Sequence, residues 1–285
     1  MRMKTREQKK LSSEMHSLRV ATYNVHKCRG LDRRVRPGRI VEVLREIDAD
    51  IVALQEVVSV GSGLRAENQS EFIAEELGLH YHFGSNRPLN GGAYGNVVLS
   101  RFPMRAARNY SVSVSGREPR GCLRSDIELD ESTILHVFNV HLGTAFLERR
   151  AQGKMLTGPE ILASDDFEGP RIVLGDFNEW TRGLASRLLA RHLNKADLRE
   201  DARWGRTYPG VLPLLDLDHV YHDAALKIEQ FRPHRSRTAL VASDHLPLVA
   251  DFRLETETRS CAASTRESAP SRATSPTAVS AEIRA

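Results

Sequence analysis

Residues 172–178 read Ile172-Val173-Leu174-Gly175-Asp176-Phe177-Asn178. The first three are aliphatic and mostly β-branched, as suits a strand buried on both faces. A glycine then breaks the run, and an acid and an amide follow two residues apart. Taken alone, Asp176 after Gly175 is an ordinary turn former, because an Asx side chain bonds its own backbone. The same change from apolar strand to polar end recurs along the chain. Val20-Ala21-Thr22-Tyr23 runs into Asn24, Ile51-Val52-Ala53-Leu54-Gln55 into Glu56, and Val137-Phe138-Asn139-Val140 into His141. Asp218 precedes Val220-Tyr221, and Asp244-His245 precede Leu246-Pro247-Leu248-Val249. Each place has a plain explanation: a surface acid at Glu56, a satisfied core histidine at His141, a loop residue at Asp218, a turn pair at 244–245. Their recurrence at six strand ends is the stronger signal, since such ends can meet in one pocket.

Around these runs the periodicity predicts strands over residues 19–26, 50–55, 96–100, 122–128, 134–141, 171–174, 218–222 and 246–254. Residues 39–47 place Ile40, Val43, Leu44 and Ile47 on one helical face, with Pro37 near the start. A second helix spans residues 69–77 and stops at Gly78, and a third spans 184–193. Many strands, often adjacent in sequence, with few helices between them, predict a layered α/β (or α+β) sandwich: two packed sheets with helices outside.

The chain has 285 residues, ample for one domain with a sizeable core. Of its net charge of +4, residues 1–17 carry +3, from five Lys/Arg against two Glu. Residues 255–285 hold four of each sign, so the body is near +1 and lacks the bulk charge of a dedicated nucleic-acid binder. Residues 1–17 read as a flexible basic arm, either simply solvated or touching phosphates or anionic lipid. Residues 255–285, rich in Ser, Thr, Ala, Pro and Arg, read as a disordered tail, which leaves 18–254 as the folded body. No apolar run is long enough for a transmembrane segment, and the N-terminus has no signal-peptide core. Cys28, Cys122 and Cys261 are scattered without a CxxC pair, so neither a disulfide framework nor a zinc site is indicated. A cytoplasmic monomer is the expectation.

Thr22-Tyr23-Asn24-Val25-His26, Leu54-Gln55-Glu56, Asn139-Val140-His141-Leu142, Gly175-Asp176-Phe177-Asn178, Leu217-Asp218-His219-Val220 and Ser243-Asp244-His245 follow one another in a set order. That ordered set resembles the endonuclease/exonuclease/phosphatase superfamily of DNase I-like proteins, over residues 19–254. The resemblance implies a four-layer sandwich of two mainly antiparallel sheets flanked by helices. It also implies divalent-metal-dependent hydrolysis of a phosphate ester, with Mg²⁺ (or Mn²⁺) as the cofactor. Hard oxygen donors suit such an ion.

On that resemblance Glu56 is the expected metal ligand, Asn24 assists it, and Asp244 either helps bind a metal or positions His245. Asp176 orients or deprotonates the attacking water, and Asn178 holds that water or a phosphate oxygen. His245 contacts phosphate, with Asp218 fixing its orientation and favouring its charged form. His141 stabilises the transition-state oxygens or acts as the acid for the departing group. His26, two positions beyond Asn24, falls on the same face if the strand continues, as a substrate contact. Arg120 is either a phosphate-binding fork or an exposed strand arginine. Thr207-Tyr208-Pro209 resembles a substrate-side loop, and Trp180 and Trp204 either stack on substrate or pack. The substrate partner stays open among nucleic acid, phospholipid and a small phosphoester. The alternative function is a non-catalytic module that binds phosphate or a partner on the same fold.

Overall fold

Continuous apolar runs require the central strands to bury both faces, and the architecture follows from that. In the computed structural model, residues 15–60, 68–89, 91–179, 183–197 and 206–255 are described. Trp180, Trp204 and nearly all of the two tails lie outside the described residues. Twelve strands occur in chain order: β1 (Met15–Asn24), β2 (Ile51–Ser59), β3 (His80–Leu89), β4 (Gly92–Ser100), β5 (Met104–Ser111), β6 (Gly121–Glu128), β7 (Ile134–His141), β8 (Arg171–Asp176), β9 (Asn194–Lys195), β10 (Asp218–His222), β11 (Leu226–Pro233) and β12 (Leu248–Glu255). Among the described residues five α-helices join them: α1 (Pro37–Ile47), α2 (Gln69–Leu77), α3 (Phe146–Leu156), α4 (Leu184–Leu189) and α5 (Ala239–Ala242).

The strands form two six-stranded sheets, ordered β11-β12-β1-β2-β4-β3 and β5-β6-β7-β8-β10-β9. Pairing is antiparallel except for β1–β2 and β7–β8. Those two parallel pairs need crossovers, which α1 and α3 supply. Three apolar cores separate four layers. Ala21, Tyr23, Val52 and Leu54 face α1 and α2. Leu18, Val20, Ile51 and Ala53 turn the other way and meet Leu135, Val137, Ile172 and Leu174 between the sheets. Phe138, Val140 and Val173 pack against Leu156 and Leu189 on the far side. Each fully buried side chain of this size contributes about 1.5–3 kcal/mol of transfer free energy. The expected four-layer sandwich is the fold observed.

The elements not foreseen have a common cause. β11, β3 and β5 are sheet edges, and β5 exposes most of its residues. Each also carries a register shift, at Ile228/Gln230 in β11, Ser85/Arg87 in β3 and Met104/Ala106 in β5, which interrupts the period of two that would announce a strand. Helix α3 is similarly disguised, with Phe146 and Leu147 exposed and Arg149 buried. The third expected helix stops at Leu189 rather than at residue 193.

Candidate active site

The space between the sheets changes character along each strand. β1 contributes Leu18, Val20, Thr22 and then Asn24; β7 contributes Leu135, Val137, Asn139 and then His141; β8 contributes Ile172, Leu174 and then Asp176, all buried. Register sets these ends level, since Asp176 pairs with both His141 and Asp218. Below them lies a layer of amides. Gln55 Nε2 donates to Thr22 Oγ1 at 3.0 Å and to Asn139 Oδ1 at 2.8 Å. Asn139 Nδ2 donates to the carbonyls of Leu54 and Val97, each at 2.8 Å, and so ties one sheet to the other. Asn139 is thereby satisfied at both ends of its amide, while Gln55 Oε1 is buried without a hydrogen-bond partner.

The carbonyls of Leu54 and Val97 border a bulge, where the β2–β4 register shifts between Leu54 and Val57. Glu56 sits in that bulge at φ 60°. Strict alternation would turn Glu56 toward the helices with Leu54; the bulge turns it toward Asn24 instead. Gly175 has φ 143°, and a Cβ there would lie 1.9 Å from the Val140 carbonyl oxygen, so the motif requires glycine. Asn178, at φ 49°, closes the turn by donating its N–H to Asp176 Oδ1 at 2.8 Å. Its side-chain amide donates to the Leu142 carbonyl at 3.0 Å.

Asp176 Oδ2 is the hub. The Asn24 amide donates to it at 3.0 Å and to Glu56 Oε1 at 3.2 Å. Nε2 of His141 stands 3.6 Å from the same oxygen and Nε2 of His245 3.7 Å. Behind His245, Nδ1 lies 2.9 Å from Asp218 Oδ2. Thr207 Oγ1 donates to that oxygen as well, while Asp218 Oδ1 is buried without a hydrogen-bond partner. Tyr208 packs its ring on His245, with centroids 4.9 Å apart.

The two imidazoles are tuned in opposite directions. Burial opposes a charge on His245, but Asp218 and Asp176 outweigh it and raise the ring to about 10. Burial and the neighbouring Arg120 push His141 down to about 4, against the pull of Asp176 and Glu56. Arg120 Nη1 lies 2.9 Å from His141 Nδ1, and an arginine can only donate, so it needs a neutral ring beside it. Burial works against the Glu56 carboxylate; His141, Lys27 and Asn24 overcome it and hold the acid at about 2.

Of the ten residues expected to form the site, Asn24, Glu56, His141, Asp176, Asn178, Asp218 and His245 are linked by these contacts, and Arg120 joins through His141. Arg120 is a buried arginine, 7% exposed, held also by Glu118 at 2.9 Å, which corrects the exposed-strand reading. His26 needs a second correction. The strand ends at Asn24, and residues 26–28 form a 3₁₀ turn entered at φ 45°, so alternation does not set its direction. Its N–H donates to Asn24 Oδ1, and its Nδ1 lies 3.6 Å from Asp244 Oδ1. Asp244 thus stands on the His26 side of the site. Lys27 is the residue the sequence reading missed: Nζ bonds Glu56 Oε2 at 2.9 Å. Ser243 was passed over too, and donates to the Asn24 carbonyl at 2.8 Å. Adjacency to a motif residue was the only signal for Lys27, whereas Ser243 stood within a motif without a role.

Two groupings are candidates for a cation. Asp176, Asp218 and His245 form a buried trio whose ligand atoms lie within 4.8 Å of one another. His245, however, turns Nδ1 to Asp218 and favours its protonated form, and an imidazolium cannot ligate. Glu56 and Asp176 offer hard oxygens around the Asn24 amide, the chemistry a Mg²⁺ or Mn²⁺ site requires.

Comparison with known proteins bears on the fold and the family. YbhP of Escherichia coli K12, described as uncharacterized, is 34% identical over 253 residues, covering 85% of this chain and 98% of YbhP. An endonuclease/exonuclease/phosphatase structure from Beutenbergia cavernae superposes with a TM-score of 0.68 at 23% identity, over 84% of this chain and 72% of that one. The human Nocturnin catalytic domain, with bound sulfate, gives 0.65 at 21% identity, over 83% and 94%. A sequence profile of the Endonuclease/Exonuclease/phosphatase family matches residues 21–245. That match begins three residues before Asn24 and ends on His245, and the chain belongs to the endonuclease/exonuclease/phosphatase family.

Proposed function

We propose that the chain is a metal-dependent hydrolase of phosphodiesters. One observation carries this reading: a single carboxylate oxygen, Asp176 Oδ2, is shared by the Asn24 amide and faced by both imidazoles. A water placed there has a base, two imidazoles and an amide around it, as attack on a phosphate requires.

Glu56 and Asp176 are the oxygen donors for Mg²⁺ or Mn²⁺, and the Asn24 NH₂ positions both carboxylates. Such an ion, when bound, neutralises phosphate charge and polarises a phosphoryl oxygen. Asp176 takes the proton of the attacking water as its oxygen bonds to phosphorus. Asn178 has its NH₂ committed to Leu142, which leaves its carbonyl to accept from that water. His245, kept cationic by Asp218, holds the phosphate oxygens and gives its proton to the departing ester oxygen as the P–O bond breaks. His141 is neutral and donates a hydrogen bond to a non-bridging oxygen, with Arg120 behind it. Asp244 and His26 line the approach, and substrate choice among nucleic acid, phospholipid and small diesters falls to the loops.

The test is turnover of bis(p-nitrophenyl) phosphate by the purified protein with Mg²⁺ or Mn²⁺. Hydrolysis that disappears with chelator and in Glu56→Ala supports the reading. Phosphate binding with no turnover under any metal would replace it with the binding-module alternative.

A further inference from the structure

The connections that leave the site edge of the two sheets are unusually apolar at their tips. Among the described residues ten large apolar side chains are exposed, and eight of them lie on these connections, at the start of α3 or on α5, which precedes Ser243. Leu31 and Val35 lie between β1 and α1, Leu147 follows the His141 turn, and Leu212 and Leu214 precede Asp218. Leu147 is 72% exposed and Leu212 65%. Leu31 donates its N–H to the Val241 carbonyl, and Gly210 donates to the Asp244 carbonyl at 2.7 Å, so these segments border the same mouth. Single exposed leucines need no explanation; their gathering around one opening does.

The same rim is basic on one side. Arg29, Arg33, Arg34 and Arg36 are exposed around Leu31 and Val35. Asp32, the one acid between them, is bound to Arg39. Arg235 and Arg237, also exposed, stand just before α5. In a body whose net charge is near +1, this concentrates positive charge beside aliphatic tips, the pairing that binds anionic headgroups while apolar groups enter the acyl boundary. Nucleic acid would favour aromatic platforms, and Phe146 is the sole aromatic among the eight.

We propose that this rim docks on an anionic lipid bilayer and holds the site against its surface. What the site then meets, phosphodiester headgroups, rests on the hydrolase reading; the docking does not, because it is measured without turnover.

The experiment is co-sedimentation of the full chain with phosphatidylcholine vesicles, with and without phosphatidylglycerol. The full chain should pellet with the anionic vesicles and stay in solution with the neutral ones. Arg33→Ala/Arg34→Ala should weaken binding about 30-fold, from about 1 kcal/mol for each charge near the surface. Leu31→Ser/Leu212→Ser should weaken it about tenfold or more, and both pairs should hydrolyse a soluble diester as the parent does. The basic residues 1–17 are unchanged in every variant. Pelleting equal in both variants would place the binding elsewhere and overturn the proposal, as would failure to pellet at all. Loss of duplex DNA affinity with vesicle binding intact would overturn it in favour of nucleic acid. Vesicle binding as expected, with no hydrolysis of the soluble diester, would refute the hydrolase reading and leave the docking standing.

Discussion

Nδ1 of His245 lies 2.9 Å from Oδ2 of Asp218, a fully buried carboxylate that also accepts from Thr207. The pair keeps a charged imidazole next to Asp176 although burial alone would neutralise it. In Asp218→Asn the Thr207 contact can persist while the charge is lost. The His245 titration, followed by NMR in the presence of chelator, should move from about 10 toward or below its ordinary value. An unmoved titration would show that Asp218 does not hold the proton.

Asp176→Asn keeps the shape of the hub and removes its basicity. Turnover should fall by at least about 100-fold, and His245→Ala should cost a similar factor, with circular dichroism unchanged. Near-parental rates in both would remove these residues from the chemistry.

Asn139→Ala withdraws the amide that satisfies the carbonyls of Leu54 and Val97 and the acceptor used by Gln55. Leaving such buried groups unpaired should lower stability by about 3 kcal/mol in urea unfolding. A loss under about 1 kcal/mol would show that water or rearrangement replaces the bridge.

Stability of the chelated protein should decline on both sides of neutrality, for opposite reasons. His141 is buried neutral, with its folded value lowered from 6.5 to about 4. The unfolded chain therefore binds the proton first, and this stability, full above 6.5, is lost as pH falls through about 4. Glu56, lowered from 4.5 to about 2, adds a loss in the window below 4.5. His245 has the reverse sign: raised from 6.5 to about 10, its contribution is full below 6.5 and lost as pH rises through about 10. His141→Gln should flatten the acid limb between 6.5 and about 4; an unchanged limb would place its origin in other groups.

Gly175→Ala puts a methyl against the Val140 carbonyl at a backbone angle that L residues rarely adopt. The cost should be about 3 kcal/mol or more, with activity impaired because Asp176 is the next residue. A fully active, equally stable variant would mean that the turn relaxes without moving the site.

The layers were legible because buried strands must be apolar on both faces: residues 50–55, 134–141 and 171–174 all announced themselves. The edge strands β3, β5 and β11 did not, since a register shift in each interrupts the period of two. Within the site, Asn24, His141 and Asp176 could be read as strand ends. Lys27 gave no periodic sign, and His26 was misplaced by extending a strand that the 3₁₀ turn ends.

The order of polar residues after apolar runs was enough to set the layered architecture and to nominate Asp176, His141 and His245, because side-chain period and strand burial are local properties. Chain folding alone decided which atoms meet. Glu56 reaches Asn24 only through a bulge, Arg120 meets His141 only because β6 pairs with β7, and the opposite charge states of His141 and His245 arise chiefly from neighbours tens of residues away. Electrostatic tuning depends on distance in space and on exclusion of water, and neither is written in the spacing of a linear chain.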